Sequence, residues 1–185
     1  KFLLPGETKS SLSLNTYCGG KGLNQSIAAA KAGNEVYHAA VLGKGGEMLK
    51  TALSESGVNV DMIQPSDETC GHAIIQVDEK GQNCILLYGG TNRTLTKEFI
   101  DEVLDKFGNN GLVLLQNETN LVGYIIERAS EKGLQVALNA APMNDEVLKY
   151  PIDKLSWLIV NEVEGKQIAG CEKDDEIISV LKEKY

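Results

Sequence analysis

From Thr96 onward, short continuous apolar runs alternate with helical stripes, and this alternation constrains the fold more than any other feature of the chain. The runs Leu112-Val113-Leu114-Leu115, Gln135-Val136-Ala137-Leu138 and Trp157-Leu158-Ile159-Val160 have the length of buried strands and are bounded by polar residues. Between the first two lie Leu121, Ile125, Ile126 and Ala129 at helical spacing, and Ile177, Ile178 and Leu181 repeat that spacing near the end. Apolar strands joined by amphipathic helices imply an α/β fold, a mostly parallel sheet covered by helices on both faces. A different texture precedes it. Gly71 to Val77 and Cys84 to Tyr88 read as strands flanking a turn at Asp78-Glu79-Lys80-Gly81, the signature of a β-hairpin with more than two turn residues.

Each apolar run stops at polar side chains: Gln116-Asn117-Glu118, then Asn139, then Asn161-Glu162. Open parallel sheets bind ligands beyond the carboxyl ends of their strands, so Glu118, Asn139, Asn161 and Glu164 are expected along one rim. Capping of the following helices is the competing explanation, and the residue pattern leaves both open.

The segment Cys18-Gly19-Gly20-Lys21-Gly22-Leu23-Asn24-Gln25-Ser26 leads into an alanine-rich helix that ends at Gly33, with Leu23, Ile27 and Ala30 as its inner stripe. Glycines ahead of a helix let backbone N–H groups come close to a ligand, and the helix N-terminus favours anionic or hydroxyl oxygens. A phosphate-binding Walker loop is excluded because Gly22 follows Lys21 where serine or threonine is needed. A dinucleotide fingerprint is excluded because Gln25 stands at its third glycine. A tight strand-to-helix turn accounts for the glycines but not for Lys21 beside Asn24. Those two side chains can donate to several hydroxyls of one polyol, which suits a sugar.

The net charge of −8 opposes general attraction to nucleic acid or anionic membranes, and no apolar run is long enough to span a bilayer, so neither partner is expected. A phosphate-bearing ligand must be held by local groups. Cys18, Cys70, Cys84 and Cys171 form no C-x-x-C pair, and His38 and His72 lack metal-ligand spacing. Together with a start at Lys1-Phe2-Leu3-Leu4-Pro5 that is too soon broken for a signal peptide, this leads us to expect reduced thiols and a cytoplasmic protein.

Several segments together resemble the ribokinase, or phosphofructokinase B-type, family of sugar and nucleoside kinases, and the resemblance runs along essentially the whole chain. Pro5-Gly6-Glu7-Thr8 and Gly19-Gly20-Lys21-Gly22-Leu23-Asn24-Gln25 are similar to the family's first signature, with Leu23 where alanine is usual. Gly89-Gly90-Thr91-Asn92 resembles its Gly-Ala-Asn turn, and Leu114-Leu115-Gln116-Asn117-Glu118 the strand ending in a substrate-binding glutamate. Leu138-Asn139-Ala140-Ala141-Pro142 resembles its Asn-Pro-Ala-Pro segment, and Asn161-Glu162-Val163-Glu164 its Asn-x-x-Glu motif.

The resemblance implies a ribokinase-like fold with a small β lid at about residues 1–18 and 70–90, pairing two copies into a homodimer through the lid. It implies transfer of the ATP γ-phosphate to the primary (5-) hydroxyl of D-ribose. Fructose, a keto-deoxy sugar acid or a nucleoside are the alternative substrates, and a non-catalytic sugar-binding remnant is the alternative role. Gly20, Lys21, Gly22, Leu23, Asn24 and Glu118 would bind the sugar, Asn161 would contact ATP, and Glu164 would act on Mg2+ through water. The family's first strand, its catalytic aspartate in a Gly-Ala-Gly-Asp segment, most of its adenine pocket and its K+ site match nothing in residues 1–185. The chain is therefore expected to be truncated at both ends and inactive alone, with the base beyond residue 185.

Overall fold

The computed structural model describes residues 2–185, which fall into two units, one ending at Asn92 and one beginning at Arg93. In the first unit the glycine turn opens helix α1, Lys21–Lys31, which closes as Gly33 N donates to Ala30 O at 2.9 Å. Strand β1, Ala40–Lys44, and helix α2, Glu47–Glu55, follow, and β1 pairs in parallel with β2, Ile63–Thr69. Leu23 of α1, Leu53 of α2 and Val58 form the core of this unit, with Ile27, Ala30 and Leu49 packed against them.

The hairpin is present as β3, His72–Val77, and β4, Asn83–Tyr88, antiparallel from His72↔Tyr88 to Val77↔Asn83. Its turn is built by Asp78, whose Oδ1 accepts from the backbone N–H groups of Lys80 and Gln82 at 2.8 and 3.1 Å. Every residue of both strands is exposed, including Ile74, Ile75, Leu86 and Leu87. At the root of this ribbon the backbone runs against backbone: a Cβ on Gly90, which has φ 47°, would lie 2.5 Å from Thr69 O and 2.7 Å from Gly71 N. Residues 2–18, where the resemblance implies further lid, run without helix or strand.

The second unit holds α3, Lys97–Leu104; β5, Leu112–Gln116; α4, Val122–Glu131; β6, Gln135–Asn139; β7, Trp157–Ile159; α5, Glu162–Ala169; and α6, Ile177–Lys184. All three expected strands form one parallel sheet in the order β5-β6-β7. Helix α3 starts where Thr96 Oγ1 accepts from Phe99 N at 3.1 Å.

The stripe expected for α4 is its buried face: Ile125, Ile126 and Ala129 pack with Ile100, Leu104, Val136 and Leu138. Ile126 and Leu138 are wholly buried, and each such side chain stabilises by about 1.5–3 kcal/mol. Val113, Leu115 and Leu158 point into this cluster, whereas Leu112, Leu114, Trp157 and Ile159 alternate to the other face of the sheet and are 38–54% exposed. A second cluster, Ala140, Val147, Ile152 and Ile168, ties α5 to the segment after β6. In α6 Ile177 is buried and Ile178 exposed, a narrower stripe than the sequence suggests.

Candidate functional site

In the first unit, Gly20 takes φ 102°, ψ 143°, a conformation that residues with a Cβ rarely adopt, and Asn24 N donates to its carbonyl at 3.0 Å to close the first turn of α1. No side chain caps this terminus. Lys21 and Gly22 are half-buried, and Gly20 and Asn24 are exposed. Leu23 differs from its neighbours: its side chain lies in the core, which leaves only its backbone for a ligand. Half-buried Ser26 of α1 meets His38, with Oγ and Nδ1 2.8 Å apart. Burial lowers the His38 pKa, which favours the neutral ring at neutral pH, and the serine hydroxyl can pair with Nδ1 in either tautomer.

In the second unit, Glu118 lies half-buried in the turn after β5. Its neighbours are held on several sides. Asn117 is 2% exposed; its Nδ2 donates to Pro142 O at 2.6 Å, and its Oδ1 accepts from Tyr150 Oη at 2.7 Å. Arg93 Nη1 donates to Thr119 O at 2.9 Å. Asn120 exchanges two bonds with the Leu95 backbone, accepting at 3.1 Å and donating at 2.8 Å. Burial, reinforced by the charge of Glu146 and opposed by Arg93, raises the Tyr150 pKa, which keeps its hydroxyl a donor at neutral pH.

At the carboxyl end of β7, Asn161 and Glu164 form a reciprocal pair. Asn161 Oδ1 accepts from Glu164 N at 2.9 Å, and Glu164 Oε2 accepts from Asn161 N at 3.0 Å, a capping box that opens α5. Capping thus accounts for both residues, and both also line an open recess of about 240 Å³ with Asn139, Ala141, Ile159 and Val160. Asn139 Oδ1 accepts from Ala141 N at 3.1 Å, a local turn rather than a helix cap. Among the described residues no three or more His, Cys, Asp or Glu gather as metal ligands. Glu164, 8% exposed, offers a single carboxylate beside the amides of Asn139 and Asn161 in an open recess otherwise lined by Ala141, Ile159 and Val160, a donor set that suits a hard cation supplying most of its own water ligands.

The structure therefore gathers Asn139, Asn161 and Glu164 at one recess of the second unit. Gly20, Lys21 and Asn24 are grouped in the first unit, and Glu118 stands in the second. Asn117 and Tyr150 were not singled out from sequence. An asparagine at a strand end is a weak signal for the first, and Tyr150, remote in sequence from Asn117, gives none.

The model of the pfkB family of carbohydrate kinases matches residues 1–184. The chain is 35% identical over 195 residues to a bifunctional ribokinase/ribose-5-phosphate isomerase A of Fructilactobacillus sanfranciscensis, covering 100% of this chain and 35% of that protein. It is 31% identical over 174 residues to a deoxyribokinase of Salmonella typhi, covering 91% of this chain and 57% of the relative. The structure of Arabidopsis thaliana ribokinase complexed with ribose and ATP superposes with a TM-score of 0.80 at 27% identity, over 99% of this chain and 62% of that one. The chain thus spans between about a third and three-fifths of these proteins, and its mixed α/β fold is ribokinase-like. No helix among the described residues is long and apolar enough to cross a membrane.

Proposed function

The chain belongs to the pfkB family of carbohydrate kinases, and from that premise we propose that its protein transfers the ATP γ-phosphate to the primary (5-) hydroxyl of D-ribose. The observation that carries the reading is the start of α1. A positive-φ glycine without a side-chain cap leaves backbone amides and the Lys21 and Asn24 side chains at one helix terminus. In this reading Gly20, Lys21, Gly22, the Leu23 backbone and Asn24 bind sugar hydroxyls as donors, and Glu118 accepts from another hydroxyl. Asn161 contacts ATP, and Glu164 would hold magnesium through water. Magnesium, when bound, neutralises charge developing on the transferred phosphoryl group. The β3–β4 ribbon is the lid that excludes water from the sugar, and its apolar faces suit pairing with a second copy.

A second reading, 2-deoxy-D-ribose as the substrate, is favoured by the similarity to a deoxyribokinase. The two sugars differ by one hydroxyl. A site built to hydrogen-bond that hydroxyl discriminates strongly against the sugar lacking it. The test is the full-length gene product with ATP, magnesium and each sugar in turn. Ribose is expected to give the higher kcat/KM, and a preference for deoxyribose would replace the first reading with the second. Asn24→Ala and Glu118→Ala should each weaken ribose binding at least about tenfold, the loss of one or two charge-assisted or neutral hydrogen bonds. The KM for ATP should stay within about twofold, because neither residue touches the nucleotide in this reading. Phosphorylation of neither sugar would overturn both readings.

A further inference from the structure

We infer that Asn117 and Tyr150 are positioning residues that set where Glu118 stands at the carboxyl end of β5. The inference rests on the reading of Glu118 as a ribose ligand. Asn117 occupies a site that an apolar residue of similar volume would fill without desolvating an amide, so its polarity asks for an explanation. Its side chain makes one bond to the loop after β6, at Pro142 O, and one to the segment before β7, at Tyr150 Oη. These bonds are directional, unlike the apolar contacts around them, and therefore fix the end of β5 relative to both segments rather than merely burying it.

Tyr150 is itself a rigid anchor. Its ring packs against both apolar clusters of the unit, and a Cβ on Gly123 would come within 3.3 Å of its Cδ1. The clamp therefore runs from the core, through Tyr150 and Asn117, to the peptide that carries Glu118. With Thr119 and Asn120 also bonded at their own partners, the turn around Glu118 is held on both sides of that residue. Hydrogen bonds to a sugar hydroxyl need such preorganisation, since misplacement of a binding group by about 1 Å is costly.

Tyr150→Phe tests this with the least disturbance. It removes one oxygen, keeps the ring packing, and leaves Asn117 Oδ1 without that donor. In the full-length protein, D-ribose binding measured by calorimetry should weaken about fivefold, within the range of one lost buried bond. The KM for ATP should be unchanged. In a Glu118→Ala background the same substitution should change ribose affinity less than about twofold, because the clamp acts through the carboxylate that is gone. Asn117→Leu, with folding checked by circular dichroism, should give at least the loss of Tyr150→Phe, and adding Tyr150→Phe to it should cost little more.

A drop in melting temperature with ribose affinity intact would reduce the pair to a structural tie and overturn the inference. Equal losses with and without Glu118 would overturn it as well. Wild-type protein that failed to bind ribose would instead remove the reading of Glu118, and this inference with it.

Discussion

Helix α1 begins at a glycine in positive φ with no side-chain cap, whereas α5 begins at an asparagine and a glutamate that bond each other's backbone. Both starts carry polar residues that the sequence marks as ligand-binding, yet the two arrangements differ in what they leave to explain. At α5 the cap accounts for the identity of Asn161 and Glu164 even if nothing binds there. At α1 neither Lys21 nor Asn24 serves as a cap, and the positive φ before them is one that glycine takes without steric cost. A polar helix start is thus informative in proportion to how little of its chemistry is spent on the helix itself.

The largest effect that bears on this contrast is expected at α5. Glutamine can serve in a capping box as glutamate does, so Glu164→Gln keeps the backbone bond and removes the charge. If Glu164 acts on magnesium, turnover of the full-length enzyme should fall on the order of tenfold to a hundredfold and the magnesium requirement should rise, while the melting temperature holds. An unchanged magnesium dependence would leave Glu164 with capping alone.

Next come two substitutions that weigh the starts as structure. Gly20→Ala meets no atom within 4 Å, so its cost is conformational, about 1–3 kcal/mol of unfolding free energy. Asn161→Ala removes the cap and should cost about 1 kcal/mol. Denaturant midpoints measure both, and a Gly20→Ala variant as stable as wild type would contradict the glycine-requiring start of α1.

The smallest effect concerns His38, bonded to Ser26 of α1. Burial holds its pKa below the ordinary 6.5, so the unfolded chain takes up the proton first as pH falls. Stability is therefore complete above about 6.5 and declines as pH drops from there toward the folded value. Replacing His38 with glutamine should flatten that part of the curve, and an identical slope in the variant would assign it to other groups.

The elements legible in the sequence are those whose periodicity comes from burial against one partner. β5, β6, β7 and α4 bury continuous or striped apolar residues, and the β3–β4 turn announces itself through Asp78 and Gly81. Strand β2 did not: Ile63–Thr69 contains Pro65 and four charged or hydroxyl-bearing side chains at Ser66, Asp67, Glu68 and Thr69, and among the described residues it pairs with β1 alone. Its identity comes from backbone pairing, which leaves no mark in side-chain pattern. The site was legible in the same uneven way. Local signatures suggest Lys21, Asn24, Asn161 and Glu164 as candidates, while the pair Asn117 and Tyr150 joins residues 33 positions apart and exists only in three dimensions.

The root of the β3–β4 ribbon has a bearing on how this chain tolerates inherited change. At Gly90 neither backbone angle nor space admits a second residue type, because a single added carbon would overlap the carbonyl of Thr69. A few residues away, the blade of the ribbon has side chains that touch little of their own chain. As far as this chain's own packing is concerned, the blade can drift in size and shape from one lineage to another. The root from which it springs has no room for an added side chain, so positions a handful of residues apart differ sharply in how far this chain's own packing limits what can stand there.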